Sequence, residues 1–223
     1  MSQKYESQPY EVVKNLGSIE LRYYPPAVMA EVQSVNNSNN NFSDLFRYIS
    51  GNNARNEEIA MTTPVHMQSD GNSNRMAFVL PKKYNKDTAP APTNSNIKVY
   101  TSDPGYFAAV RYGGYSNAEK VRTHTQQLLN GLEEAGIEVL GELVVLSYDS
   151  PYKFYNRRNE VLVQVRQWAF FGYELHIIIH ILTAPKSRML TVAAFLHFIQ
   201  KFSFLTFLLK RWCAHRVIML AIT

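Results

Sequence analysis

The order of sequence signals runs twice through residues 9–165, and this repeat restricts the fold more than any other feature. Ile19-Glu20-Leu21-Arg22-Tyr23-Tyr24-Pro25-Pro26-Ala27 and the residues to Val32 parallel the stretch from Ile97 to Val110. The segment Ile59 to Met67 parallels Gly141 to Pro151, and Met76 to Leu80 parallels Glu160 to Val165. Each half therefore reads hairpin, helix, strand, strand. Identity between the halves is weak, so the repeat is one of topology. Two such halves can join their sheets about a pseudo-two-fold axis. The expected fold class is α+β, a distorted β-barrel of two βαββ-like halves with two flanking helices. The helices are expected to cover the concave side and leave an apolar groove, an ordinary setting for a small-molecule site.

Local signals place the elements. Ile19 to Tyr24 alternates apolar and polar side chains, the period of a half-buried strand. The run Asn36 to Asn41 supplies Asn side chains that can cap a helix start. Phe42, Leu45, Phe46 and Ile49 follow at helical spacing, and Gly51 stands where a glycine terminates a helix. Pro64 interrupts the strand from Ile59 to Met67, which predicts an edge or a bulge there. Ser116, with Glu119 three residues on, has the spacing of a capping box for a second helix. Val121, Leu128, Leu132 and Ala135 lie on one face of that helix, and Gly136 ends it. Val139 to Tyr148 and Glu160 to Val165 read as the last strands, and residues 1–8 as a disordered start.

The formal charge of +5 invites a nucleic-acid reading, but its distribution excludes a basic binding stripe in the repeat. Residues 1–165 hold 16 Lys and Arg against 17 Asp and Glu, whereas residues 166–223 hold 7 basic residues against Glu174 alone. Cys213 is the one cysteine, so no intrachain disulfide is possible. The N-terminus carries no apolar secretory segment, and the expected location is cytoplasmic. No phosphate loop, HExxH, CxxC or nucleophile elbow is present. The sequence thus points to binding rather than catalysis, with no catalytic or metal-ligating set. His66 and His124 stand alone, and lone histidines are more often structural than ligating.

Four strings occur in order with sensible spacing: the Ile19 to Ala27 segment; Tyr48-Ile49-Ser50-Gly51-Asn52-Asn53 followed by Ile59-Ala60-Met61-Thr62-Thr63-Pro64-Val65; Phe107 to Gly114; and Tyr155-Asn156-Arg157-Arg158-Asn159-Glu160-Val161. This pattern resembles the SOUL haem-binding-protein family over nearly all of residues 9–165. The resemblance implies the same two-half barrel. It also implies binding of haem, or another tetrapyrrole, in a shallow apolar groove beside the first helix, probed as a carrier, buffer or sensor and without a strong axial ligand. Some members have a His in the first motif that has been considered an axial ligand; here the position is Tyr23. A phenolate can ligate ferric iron, and a strand tyrosine packed at the barrel wall is the alternative. Arg47 occupies the place of a basic residue before the helix-ending tyrosine, where its guanidinium fork suits a propionate. Phe42, Phe46 and Met61 are the candidate apolar contacts, with Phe46 preferred to Phe42 for the groove. Arg157, Arg158 and Glu160 are expected to pair and close the barrel at its last strand.

Two further functions compete with tetrapyrrole binding. A GyrI-like effector-binding or hydrolase domain needs a buried carboxylate among aromatics, for which Glu142 is the candidate. A protein-interaction module would use a flat apolar groove. Residues 168–223 form a basic, apolar tail unlike the repeat. Met189 to Leu209 is 21 residues long, enough to span a bilayer, but Lys201 lies near its middle. The tail is read as a membrane anchor, which would make the protein membrane-associated, as a folded extension, or as non-native sequence. The sequence gives no reading of oligomeric state.

Overall fold

A computed structural model describes residues 5–35, 40–69 and 71–166 of the chain. Its elements are β1 (Glu6–Ser7), β2 (Glu11–Leu16), β3 (Ile19–Tyr24), β4 (Val28–Val35), α1 (Asn41–Ile49), β5 (Thr62–Thr63), β6 (Val65–Ser69), β7 (Ser73–Val79), β8 (Ile97–Thr101), β9 (Gly105–Gly113), α2 (Ala118–Glu134), β10 (Val144–Ser147) and β11 (Arg158–Gln164). The tail, on which the membrane and extension readings depend, lies outside the described residues. Among those residues, no helix is long and apolar enough to cross a membrane.

Nine strands form one curled half-barrel sheet in the order β2-β3-β9-β11-β10-β6-β7-β4-β8. The repeat expected from the sequence is present, and its two halves meet where β10 pairs antiparallel with β6. Outward from that seam, β11 corresponds to β7, β9 to β4 and β3 to β8. In each half the first strand crosses over: β3 pairs with β9, and β8 pairs with β4. This exchange ties the halves together with backbone ladders.

Each helix covers the strands of its own half. On α1, Leu45, Tyr48 and Ile49 bury against Ala30, Val32 and Phe78. On α2, Leu128 and Leu132 bury against Leu21, Val110 and Val163. The opposite face of the sheet has no described helix, yet Leu146 is fully buried there with Tyr24, Ala109 and Leu162. The helices thus share one face of the sheet, the outer, and this cluster lies on the other, the inner.

The helix ends differ from the sequence reading in instructive ways. Asn40 caps α1 in position but makes no side-chain cap bond, its backbone already being helical (φ −90°, ψ −1°). At the start of α2 the cap is Asn117, whose Oδ1 accepts from Lys120 N–H at 2.8 Å. Ser116 instead shares a 2.8 Å hydrogen bond with the Tyr112 hydroxyl. Both C-termini behave as expected. Gly51 and Gly136 take φ +102° and +64°, and Asn52 N–H and Ile137 N–H close back on Arg47 O and Leu132 O. The strand expected over Val139 to Tyr148 is ladder-paired only over Val144–Ser147, with a single bridge from Val139 to Val165. Pro64 follows a cis peptide bond between β5 and β6. Strand β1 falls inside the N-terminal stretch read as disordered; it pairs parallel with β5, and the Gln8 side chain bonds His66 Nε2 at 2.8 Å.

Candidate functional site

Two places concentrate polar and aromatic side chains, one on each face of the sheet. On the inner face, alternation along β3 and β11 turns Arg22 and Glu160 toward each other across β9. Arg22 donates from Nη1 and Nη2 to the two Glu160 oxygens at 2.6 and 3.0 Å. Arg158 donates to Glu160 Oε1 from Nε and Nη2 at 2.9 and 2.7 Å, and Tyr148 OH donates to Oε2 at 2.9 Å. The Glu160 side chain is fully buried. Burial alone would raise its carboxyl, but the guanidiniums of Arg22 and then Arg158 outweigh that and hold it below the usual carboxylate range. Burial, then the neighbouring Glu160, pushes the Tyr148 hydroxyl far up, so it stays a donor. Every oxygen lone pair of use to a ligand is taken. This cluster is the Arg–Glu closure expected at the last strand, with Arg22 as the partner that spacing did not single out.

The outer face is organised oppositely. With 100° per residue, Leu45, Tyr48 and Ile49 take the core side of α1, and Phe42 and Phe46 form a neighbouring stripe one turn apart. Both are open, at 41% and 49% exposure. Their rings are nearly parallel (12°) with centroids 5.9 Å apart, and Phe42 meets Phe78 of β7 edge-on. Arg47 follows with its side chain 69% exposed and only Asp44 near it, at 3.9 Å.

Alpha1 packs chiefly on β4 and β7 and α2 on β9 and β11, so that β6 and β10 lie between the two helix-covered pairs of strands. Register aligns an apolar row there: Met76 of β7 stands opposite Met67 of β6, which stands opposite Val145 of β10. Val65, in the next row, lies opposite Phe78. Met67, Val65 and Val145 are half-buried. They lie on the face of the sheet that carries α1, where Phe42 meets Phe78.

The structure brings Phe42, Phe46 and Arg47 together on α1. Met61 is half-buried and packs on the core beneath the same helix. Tyr23 is not with them: it stands on β3 in the other half, ring to ring with Tyr106 at 5.2 Å. Met67 and Val145 share the α1 face of the sheet and are not among the residues singled out in the sequence, although strict alternation through Val65-His66-Met67 places Met67 on that face. Glu142 is exposed and bound by Arg75 and Gln68, so it is not the buried carboxylate that an effector-binding or hydrolytic reading needs. His124 stacks on Tyr112 at 4.6 Å, and its Nδ1 donates to Lys120 O at 2.8 Å. Two clefts elsewhere hold about 280 and 140 Å³. Both fall below the size of ordinary drug-like ligand pockets and are too small for a macrocycle.

Known proteins fit this picture. Heme-binding protein 1 of Bos taurus is 28% identical over 124 residues, covering 52% of this chain and 64% of that protein. The chain thus spans less than two thirds of that relative. Heme-binding protein 2 of Homo sapiens is 30% identical over 159 residues, 65% of this chain and 77% of that protein. Among solved structures, the C-terminal domain of EcmrR superposes with a TM-score of 0.52 at 11% identity, covering 70% of this chain and 98% of that one. An uncharacterized conserved protein from Listeria innocua gives a TM-score of 0.52 at 12% identity, over 67% and 92% of the two chains. At such identities these structures share the fold alone. A family model described as SOUL heme-binding protein matches residues 5–164, and the chain belongs to that family.

Proposed function

We propose that this chain is a non-enzymatic binder of haem or a related tetrapyrrole, acting as carrier, buffer or sensor. The binding unit is the domain of residues 9–167, and the ligand lies in a shallow groove beside α1. The observation that carries the reading is the exposed, near-parallel Phe42–Phe46 pair beside the weakly held Arg47. Two phenyl rings that lie side by side in solvent gain from being covered by a flat apolar ligand.

The donor set suits a macrocycle that is flat, apolar and acidic at one edge. The Phe42 and Phe46 rings offer dispersion and area to its face. Val65, Met67 and Val145, on the same face of the sheet, offer apolar side chains. Arg47 offers a planar fork to a propionate. Bound haem would supply iron and its ligand-exchange chemistry; the chain's own residues orient the disc and shield one face from water. Membership of the SOUL heme-binding protein family and the names of the two relatives support the same ligand class.

Titrating haemin into the full chain tests this. The expected result is a saturable Soret shift at micromolar protein, with affinity lowered severalfold by Arg47→Glu because an exposed ion pair is worth about 1 kcal/mol or less. Absence of any shift at those concentrations overturns the proposal.

A further inference from the structure

Ahead of the last strand, one loop displays its aromatic side chains instead of burying them. Between β10 and β11 the chain runs Asp149-Ser150-Pro151-Tyr152-Lys153-Phe154-Tyr155-Asn156-Arg157. Tyr152, Phe154 and Tyr155 are 92%, 76% and 66% exposed, the most open large apolar side chains among the described residues. Phe154 and Tyr155 meet edge-on with centroids 5.3 Å apart.

The loop holds this form through bonds of its own. Arg157 is buried and donates from Nη1 to Ser150 O and Lys153 O at 2.7 and 2.6 Å. Its guanidinium lies over the Tyr115 ring at 4.5 Å. Asp149 accepts from Arg158 N–H and from Lys153 Nζ, both at 2.6 Å. Tied at these points, the loop keeps three rings in water, although exposing them together is unfavourable.

Its charge favours one sign. From Asp149 to Arg158 the only acid is Asp149, and Lys153 and the Arg158 amide satisfy it. Arg157 bonds carbonyl oxygens rather than a carboxylate. Lys120 does the same nearby: its Nζ donates at 3.0 Å to the carbonyl of Gly113, which stands opposite Arg158 in the ladder. Glu119 beside it lies in the first turn of α2, where the helix end offsets its charge.

Rings this open lie in no groove of their own, so whatever covers them must accept a projecting tip. A protein would need a matching pocket for each ring. The headgroup layer of a bilayer takes aromatic rings without such pockets, keeps phenol hydroxyls near water, and attracts basic residues when its lipids are anionic. We propose that the loop from Tyr152 to Tyr155 is a membrane-surface contact, its rings entering the headgroup layer of an anionic bilayer beside the cations of Arg157 and Lys120. The contact lies away from α1 and does not depend on haem.

The test uses the full chain with Cys213→Ser and Phe154→Cys, labelled at the introduced thiol with an environment-sensitive aromatic fluorophore. Vesicles of mixed phosphatidylcholine and phosphatidylserine should shift its emission to the blue and raise it severalfold. Vesicles of phosphatidylcholine alone should do so less, and high salt should erase the difference. The same label placed by Glu134→Cys, at the far end of α2, should not respond. Tyr152→Ser with Tyr155→Ser, changes at exposed positions that leave the fold intact, should cut the response of the loop label severalfold. No response of the loop label to anionic vesicles, an equal response of the α2 label, or a response indifferent to the two tyrosines overturns the proposal. A loop label that ignores vesicles and responds to a membrane-free soluble extract overturns it in favour of a protein partner.

Discussion

The two faces of one sheet treat charge and aromatic rings in opposite ways. Inside the curl, Arg22, Arg158, Glu160 and Tyr148 saturate one another, and Arg22 lies over the Tyr10 ring at 4.2 Å. Outside, Phe42, Phe46 and Arg47 have few partners and face solvent. Side chains of the same chemical kinds thus hold the barrel together in one place and lie open to solvent in the other. The difference lies in satisfaction. A buried charge must be fully paired to persist, whereas an exposed ring and cation cost little while empty and gain on binding.

Breaking the inner cluster should have the largest effect. Glu160→Gln leaves the Arg22 guanidinium, whose side chain is 2% exposed, with the part-exposed Glu20 as its remaining carboxylate, and takes the charge partner from Arg158 as well. A loss of about 3–5 kcal/mol in unfolding free energy is expected from urea titration. Haemin affinity, measured where the variant is folded, should be unchanged. A large drop in affinity with normal stability would reverse the roles of the two faces.

Acid should act on the same inner side. Burial pushes His66 down to about 4 from 6.5, so the folded chain refuses a proton that the unfolded chain accepts. Stability should fall as pH drops from about 6.5 to 4, by at most about 3 kcal/mol. The depressed Glu160 carboxyl adds a further loss below its unfolded value of 4.5, where only the unfolded chain gains the proton. Urea midpoints from pH 7 to 4 check this, and His66→Gln should flatten the upper part of the curve. A flat wild-type profile would contradict it.

The outer face should respond the other way round. Phe46→Ser should change stability by no more than about 0.5 kcal/mol, because the ring is half open. It should weaken haemin binding roughly tenfold, the equivalent of losing one good aromatic contact. Equal losses of stability and affinity would mean that Phe46 is simply core.

Much of this arrangement can be read from the chain itself, and the misses have physical causes. Strands β3 and β8 begin and end where alternation and the flanking proline or turn residues place them. The correspondence of the two halves follows from the order of local signals. The crossing of β3 and β8 between halves does not, because local signals carry no information about partners. Arg22 and Glu160 lie 138 residues apart, so only the string around each hints at the pair. The cap of α1 falls inside the Asn36 to Asn41 run, whereas the cap of α2 lies one residue beyond Ser116, at Asn117, because adjacent Ser and Asn side chains compete at that start. Phe42 and Phe46 were grouped with Leu45 and Ile49 because a nine-residue helix is too short for an apolar count to separate two adjacent stripes. Met67 was not singled out because a methionine in a strand reads as core until the helices are placed.

The most direct test of the contrast is where the ligand touches. Ferric haemin broadens nearby amide signals in NMR spectra of the isotopically labelled chain. The account predicts broadening centred on Phe42 to Arg47, Val65 to Met67 and Val145, with Arg22, Leu146 and Glu160 spared. Broadening centred on Arg22, Tyr24, Leu146 and Glu160 would contradict it and place the ligand inside the curl.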